Sequence, residues 1–391
     1  MNRTEFDFII AGGGASGLSL LWNLISSPVL GNKQILVLDK DLTPKDDKTW
    51  CFWDDNHFPV KELIHHTWDE LSVKTTKHDE SEFLKDYKYH CVRSFDYSKH
   101  MLSEGKRRKN VHFLESSVTE MSGDNGFGVV RTPDSEFRAP LVFQSIAPPP
   151  SYNDAAVDNS LIQHFLGWEI KTDSPVFDPK KALLMDFDVP QMNGVTFMYV
   201  LPFSETRALI EYTVFSEELL PRNKYSEQIS KYISDKFRLT DENYTKEREE
   251  FGKIPMEDKT FNPWYCEHVY SIGSVGGQTK PTTGYTFTRI QSQCKKIIHS
   301  LESNDTLPEE WMSSYRFRVY DMMLLSLLKN EPETTITIFG ELFKRNSFDR
   351  ILHFLDEKTN LLQEVSIFSS LPYMPFFKSI YRMKHRIFTG A

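Results

Sequence analysis

FDFIIAGGGASGLSLLW, residues 6–22, is the stretch on which the fold turns. FDFIIA is short, apolar and β-prone, the pattern of a strand buried in a parallel sheet. SGLSLLWNLI, residues 16–25, continues at helical spacing. Between them Gly12, Gly14 and Gly17 fit G-x-G-x-x-G. The first glycine allows the tight turn, the second lets a pyrophosphate approach the backbone, and the third lets helix pack on strand, with the helix N-terminus toward the phosphates. QILVLDK, residues 34–40, supplies a second strand ending in Asp39, about 22 residues beyond Gly17, where such folds place the ribose-binding acid. A dinucleotide is expected on this loop; the alternative is a glycine-rich turn that packs with no ligand. The motif does not choose between NAD and FAD.

The rest of the composition narrows the class. With 391 residues the chain is long enough for two or three structural units, and 39% hydrophobic against 26% charged residues is a globular balance. A net charge of -9 argues against nucleic-acid binding, which needs clustered Lys and Arg to neutralise phosphates. Cys51, Cys91, Cys266 and Cys294 lack C-x-x-C spacing, so neither a disulfide framework nor a zinc site is expected, and no metal. A cytoplasmic protein is the simpler reading. No run approaches the roughly 20 apolar residues that span a bilayer.

DDKTWCFWDDN (46–56), YHCVRSFDYSKHM (89–101), FGKIPM (251–256) and SIGSVGGQTKPTTGYTFTRI (271–290), in that order after the glycine loop, resemble the lycopene cyclases, flavoproteins of carotenoid biosynthesis. Thr49-Trp50-x-Phe52, Ile254-Pro255-Met256 and Pro281-Thr282-Thr283-Gly284-Tyr285 are the most telling pieces. The resemblance implies FAD, kept reduced by NADPH or NADH, and a non-redox isomerisation of lycopene. A terminal double bond is protonated, a neighbouring double bond captures the cation, and loss of a proton leaves a β-ionone ring. It implies an α/β fold: a Rossmann-like, glutathione-reductase-like FAD-binding domain, an antiparallel-sheet substrate domain and a C-terminal helical region. The boundaries expected are 1–150 with 262–300 for the FAD domain, 151–261 for the substrate sheet and 301–391 for the helical cap.

Physical reading of single segments agrees. EHVYSIGSVGG (267–277) reads as an apolar strand running into a small-residue turn, and TGYTF opens a helix whose first N–H groups can meet a phosphate or flavin carbonyl. Gly273, Thr283, Gly284 and Tyr285 are therefore cofactor candidates. Where many flavoproteins of this architecture carry Gly-Asp, this chain has Gly273-Ser274. Arg93 corresponds to a basic position near the flavin in related enzymes; the alternative is an ion-paired side chain.

GVTFMYVLPFSETRALIEYTVF (194–215) reads as a β-hairpin, and alternation puts Glu211 on a face with Leu209 and Phe215. A carboxyl among apolar neighbours resists ionisation, which suits a general acid toward an alkene. The lycopene cyclases carry an acidic motif on the corresponding strand; in several relatives the next residue is also acidic, and here it is Tyr212. A surface acid paired with Lys or Arg is the alternative for Glu211. Trp50, Phe52 and Trp53 are candidates to line a water-poor substrate cage, or else core packing. Asp54 and Asp55 read as acid, base or loop caps. Glu249 and Glu250 end the charged run LTDENYTKEREE, expected to be a solvated surface, and Pro255 is expected to fix a turn toward the cofactor.

SIAPPP (145–150) marks a break in regular structure. PEEWMSSYRFRVYDMMLLSLLKN (308–330) onward reads as helical, starting after Pro308. LPYMPFFKSIYRMKHRIF (371–388) mixes aromatics with Lys378, Arg382, Lys384, His385 and Arg386, which fits either peripheral docking on an anionic membrane or a helix packed on its own protein. The competing functions are a flavin monooxygenase or prenyl-chain reductase on a similar scaffold, and a carotenoid- or flavin-binding protein without turnover.

Overall fold

The computed structural model describes residues 3–54, 58–303, 306–307 and 313–389. The Phe8–Ala11 strand lies inside a six-stranded sheet whose order is Trp264–Cys266, Val269–Ser271, Leu141–Gln144, Phe8–Ala11, Ile35–Asp39, Val111–Glu115. All its pairs are parallel except that of Trp264–Cys266 with Val269–Ser271. Ile9, Ile10 and Ala11 are fully buried because both faces of the sheet are covered. Ile10 and Val37 pack under the Ala15–Ser26, Ser94–Lys106 and Phe287–Ser303 helices. Ile9, Leu36 and Val142 pack on a three-stranded antiparallel sheet formed by residues 120–139.

Gly12 turns the chain at φ +116°, and Gly17 allows the helix onto the strand: a Cβ at Gly17 would stand 1.9 Å from the Gly12 carbonyl oxygen. Ser145, at the start of the SIAPPP break, donates its N–H to Ala11 across the top of this turn.

A second sheet of seven strands follows the order Tyr244–Glu257, Ser160–Thr172, Arg207–Ser216, Val195–Ser204, Lys181–Asp186, Glu70–Lys74, Asp79–Phe83. It draws two strands from residues 70–83, outside the 151–261 segment expected to form it. The Glu70–Phe83 hairpin adds parallel to Lys181–Asp186 and so covers what would be an open edge. One face is closed by the Arg222–Phe237 helix over Ile210, Tyr212 and Val214. The other face, bearing Leu209 and Phe215, packs with residues of the small sheet Thr49–Asp54, Lys88–Arg93, Ile64–Trp68 and of the Pro332–Arg345 and Phe348–Leu355 helices.

From Tyr315 the chain is helical, as the sequence indicates: Tyr315–Asn330, Pro332–Arg345, Phe348–Leu355, Leu361–Ser369, Tyr373–Arg382 and Lys384–Thr389. The helix start expected after Pro308 and the role expected of Asp55 fall outside the described residues. No helix among the described residues is long and apolar enough to cross a membrane.

Candidate active site

At the glycine loop, Gly13 donates its N–H to Asp39 Oδ2 at 2.6 Å, and Asp41 donates to Oδ1 at 3.0 Å. Asp39 thus holds the loop against the end of its strand. The Ala15–Ser26 helix starts after Gly14 with no side-chain cap and no acid in its first turn, and a Cβ built on Gly14 would meet no atom of the described residues within 4 Å. Uncapped N–H groups facing open space form an anion cradle. The return loop closes on the same point: Gly273 donates to the Gln293 side chain, and a Cβ there would stand 2.5 Å from Ser16 Oγ. These residues fit the pyrophosphate of a dinucleotide. A cavity borders this return loop, lined by Pro255, Ser274, Gly276, Gly277, Thr279 and Pro281 among others.

The 281–285 segment is anchored from below. Lys280 Nζ bonds Asp321 at 2.9 Å and Glu357 at 2.7 Å, and Thr282 Oγ1 donates to Asp321 at 2.9 Å. Gly284 takes φ +71°. Among the described residues Thr283 Oγ1 is buried with no hydrogen-bond partner, so a polar group is left over beside this turn. The segment delivers Tyr285 into the space under the seven-stranded sheet. There Tyr285 and Tyr199 hydroxyls flank that of Tyr89, at 2.7 and 2.6 Å, and Trp53 meets the Tyr285 ring edge-on at 4.5 Å between centroids. Burial pushes all three phenols upward, so they stay neutral at physiological pH.

Glu211 sits in this space, 6% exposed and directly opposite Tyr199 on the neighbouring strand. On its other side it pairs with Gly167, which in turn pairs with Glu250. The missing side chain at Gly167 is what lets the two carboxyl side chains come together across it: a Cβ there would stand 3.2 Å from Glu250 Cγ and 3.5 Å from Glu211 Cβ. Among the described residues Glu211 accepts one hydrogen bond, from Thr213 Oγ1 at 2.8 Å. Glu250 accepts from Arg248 at 2.7 Å and from Thr49 at 2.9 Å. Burial raises both acids, but among the described residues only Glu250 has a cation bonded to it, so the proton of the pair resides on Glu211. Desolvation first and the Glu250 charge second push Glu211 up to about 8.

This has a consequence for stability. The folded chain keeps the Glu211 proton to about pH 8, whereas the unfolded chain releases it near the ordinary value of 4.5. The contribution is complete below that ordinary value and is lost as pH rises through the folded one. Glu211→Gln is therefore expected to lose less melting temperature between pH 5 and pH 9 than the parent protein. Equal losses in thermal melts would mean that Glu211 is ionised in the fold.

Arg93 is buried and paired: its guanidinium bonds Glu169 at 2.5 Å, and Glu169 also accepts from Arg248 Nε at 3.0 Å. The chain Arg93, Glu169, Arg248, Glu250 crosses three elements and locks the small sheet to the large one. The ion-paired reading of Arg93 describes its surroundings, although among the described residues Nε and Nη1 donate to no hydrogen-bond partner and Nη1 lies 3.8 Å from Asp46.

The three aromatic candidates separate. Trp50 stacks on Phe287 at 5.5 Å and Phe52 packs with Phe58 and Phe287, both in the core beneath the helices. Only Trp53 faces the Glu211 side, because adjacent strand residues point to opposite faces. Asp54 is a loop cap, accepting from the Phe58 N–H at 2.8 Å. The expectation that Glu249 and Glu250 are both solvated holds for neither in full. Glu249 is partly buried, paired with Arg222 and Lys246 on the outward side, whereas Glu250 is 4% exposed beside Glu211. Pro255 forms no turn: it lies in the Tyr244–Glu257 strand, at the edge of the sheet where a missing N–H is tolerated. Sequence reasoning missed Glu250, Glu169 and Arg248, yet alternation in EREE and the Gly167-x-Glu169 spacing both point inward.

Comparison with known proteins adds a family signal. The profile described as "Lycopene cyclase protein" matches residues 7–381. A lycopene beta-cyclase from Pantoea ananas is 23% identical over 95% of this chain and 96% of its own length. A lycopene beta-cyclase from Paracoccus sp. is 28% identical over 54% of this chain and about half (52%) of its own length. Among solved structures, a geranylgeranyl bacteriochlorophyll reductase-like protein from Thermoplasma acidophilum superposes with TM-score 0.57 at 13% identity, covering 99% of this chain and 98% of the other.

Proposed function

Since this chain belongs to the lycopene cyclase family, we propose that it is a flavin-dependent lycopene β-cyclase that closes the acyclic ends of lycopene to β-ionone rings without net redox chemistry. The observation that carries this reading is Glu211, a buried carboxyl holding a proton among neutral tyrosines and Trp53, with a second carboxylate across Gly167. A protonated acid buried away from bulk water is what an alkene requires.

The cofactor we propose is FAD, with its pyrophosphate at Gly12, Gly14 and Gly17, its ribose at Asp39, and its flavin end toward Gly273 and the Thr283–Tyr285 turn. When bound and reduced by NADPH or NADH, it supplies negative charge beside a cationic intermediate. This chain's own groups do the proton work. Glu211 donates its proton to the terminal double bond, and the neighbouring double bond attacks the cation to close the ring. The resulting carboxylate, or Glu250 beside it, takes the ring proton, so one proton enters and one leaves and the product is an isomer. Tyr199, Tyr285 and Trp53 present aromatic faces that stabilise positive charge, and the buried, neutral hydroxyls of the two tyrosines are poor nucleophiles toward it. Arg248 and Glu169 position Glu250. We place Arg93 in this positioning network and the substrate beside Trp53, with Trp50 and Phe52 as its backing.

The test is anaerobic incubation of the protein with FAD, NADPH and lycopene in liposomes. The expected product has the mass of lycopene, one double bond fewer per ring and absorption at shorter wavelength. Stoichiometric consumption of NADPH with a heavier product would replace this reading by a reductase or monooxygenase.

A further inference from the structure

The Leu361–Ser369 and Tyr373–Arg382 helices each have an inward side that accounts for their packing. Glu364 bonds Arg316 and Tyr320, Phe368 packs on Tyr320 at 4.7 Å, and Ser379 donates to the Met323 carbonyl, so both helices rest on Tyr315–Asn330. Their outward side is apolar as well. Leu361, Leu362 and Val365 are 63%, 82% and 63% exposed, and Tyr373, Met374, Phe377 and Tyr381 are 59–70% exposed. Residues 373, 377 and 381 follow i, i+4, i+8 and form one row. Among the described residues, half of the large apolar side chains that stand out in solvent fall between 361 and 381. Single exposed apolar residues need no explanation, but two adjoining helices doing this mark an interaction surface.

The segment that carries that row has an excess of cations. Lys358, Lys378, Arg382 and Lys384 are exposed, Lys358 pairing with Asp356 and Arg382 with Glu331, while the only acid between 358 and 387, Glu364, is buried under Arg316 and Thr359. In a chain of net charge -9 this is a local reversal. A second copy docked face to face would bring these cations together; an anionic lipid surface would neutralise them while taking up Leu, Phe and Met and leaving tyrosine hydroxyls at the headgroups. Resting on the reading of a lipid-dissolved substrate, we infer that the outward face of the Leu361–Ser369 and Tyr373–Arg382 helices docks this protein on an anionic membrane surface. The supporting Tyr315–Asn330 helix carries Asp321, which holds Lys280 and Thr282 of the turn that delivers Tyr285. The docked face is therefore one helix away from the active-site turn.

The experiment is flotation of the flavin-loaded protein with vesicles of phosphatidylcholine alone or with about one-third phosphatidylglycerol. Preferential binding to the anionic vesicles, weakened by salt, is expected. The combined variant Leu362→Ser, Tyr373→Ser, Phe377→Ser should reduce the bound fraction about tenfold or more with flavin content and circular dichroism unchanged. Lys378→Glu with Lys384→Glu should remove the preference for anionic lipid. The inference is overturned if the parent protein does not bind anionic vesicles, if the triple variant binds as the parent does, or if that variant instead turns a dimer into a monomer in sedimentation. Turnover measured in detergent micelles separates this from the catalytic reading: the triple variant keeps micellar turnover if only docking is lost. Absent turnover of the parent in micelles and vesicles alike counts against the cyclase and leaves the flotation result standing.

Discussion

Glu211→Gln is expected to eliminate ring formation, with a loss of about 10²–10⁴-fold or to the limit of detection, while flavin loading stays at the parent level. The amide fills the same volume and can still accept the Thr213 hydroxyl proton, so the strand and its pairing with Gly167 and Tyr199 are preserved. What it lacks is an acidic proton that can leave. Glu250→Gln separates donation from tuning. It removes the charge that helps hold the proton on Glu211, so the Glu211 pKa falls and the alkaline limb of the pH–rate profile moves to lower pH, with residual activity. In the parent that limb should fall as pH rises through about 8, where Glu211 ionises. If Glu211→Gln cyclises lycopene at the parent rate, or if the limb stays in place in Glu250→Gln, the assignment of the acid fails.

How much of this arrangement could be seen in the amino-acid sequence depends on how many elements each feature needs. The glycine loop and Asp39 are local to one strand–helix–strand unit, and the Gly13 to Asp39 hydrogen bond joins residues that the motif already relates. The face of Glu211 follows from alternation within one strand, and Leu209 and Phe215 do share its side of the sheet. Glu250 is different. Its burial depends on a neighbouring strand having glycine at 167 and on Arg248 being matched by Glu169, contacts across 79 residues and more. A run as charged as TKEREE looks solvated until alternation is applied, when Glu249 turns out to Arg222 and Glu250 turns in to Thr49. The same rule divides Trp53 from Trp50 and Phe52, which composition treats as one aromatic cluster. The membership of residues 70–83 in the large sheet carries no local signal, because a parallel strand pairing is set by the partner's position and not by a turn.

Gly14→Val is expected to abolish flavin binding and leave the fold as stable as the parent, and the contrast with Gly17→Ala gives that result its meaning. At Gly14 a Cβ meets no atom of the described residues within 4 Å, so the added side chain occupies only the space in front of the helix N-terminus. At Gly17 even one methyl group would overlap the Gly12 carbonyl oxygen at 1.9 Å, which forces helix and strand apart. Overpacking of that kind costs about 1–3 kcal/mol or more, so Gly17→Ala should lower the melting temperature measured without cofactor. Gly14→Val should not, yet should elute without flavin absorbance and show no rise in melting temperature on adding FAD, because the pyrophosphate no longer reaches the backbone. The addition of FAD should raise the parent's melting temperature. Full flavin occupancy in Gly14→Val would move the dinucleotide away from this loop. Loss of flavin together with loss of stability would mean instead that residue 14 serves the fold, and the open space before the Ala15–Ser26 helix would no longer speak for a ligand.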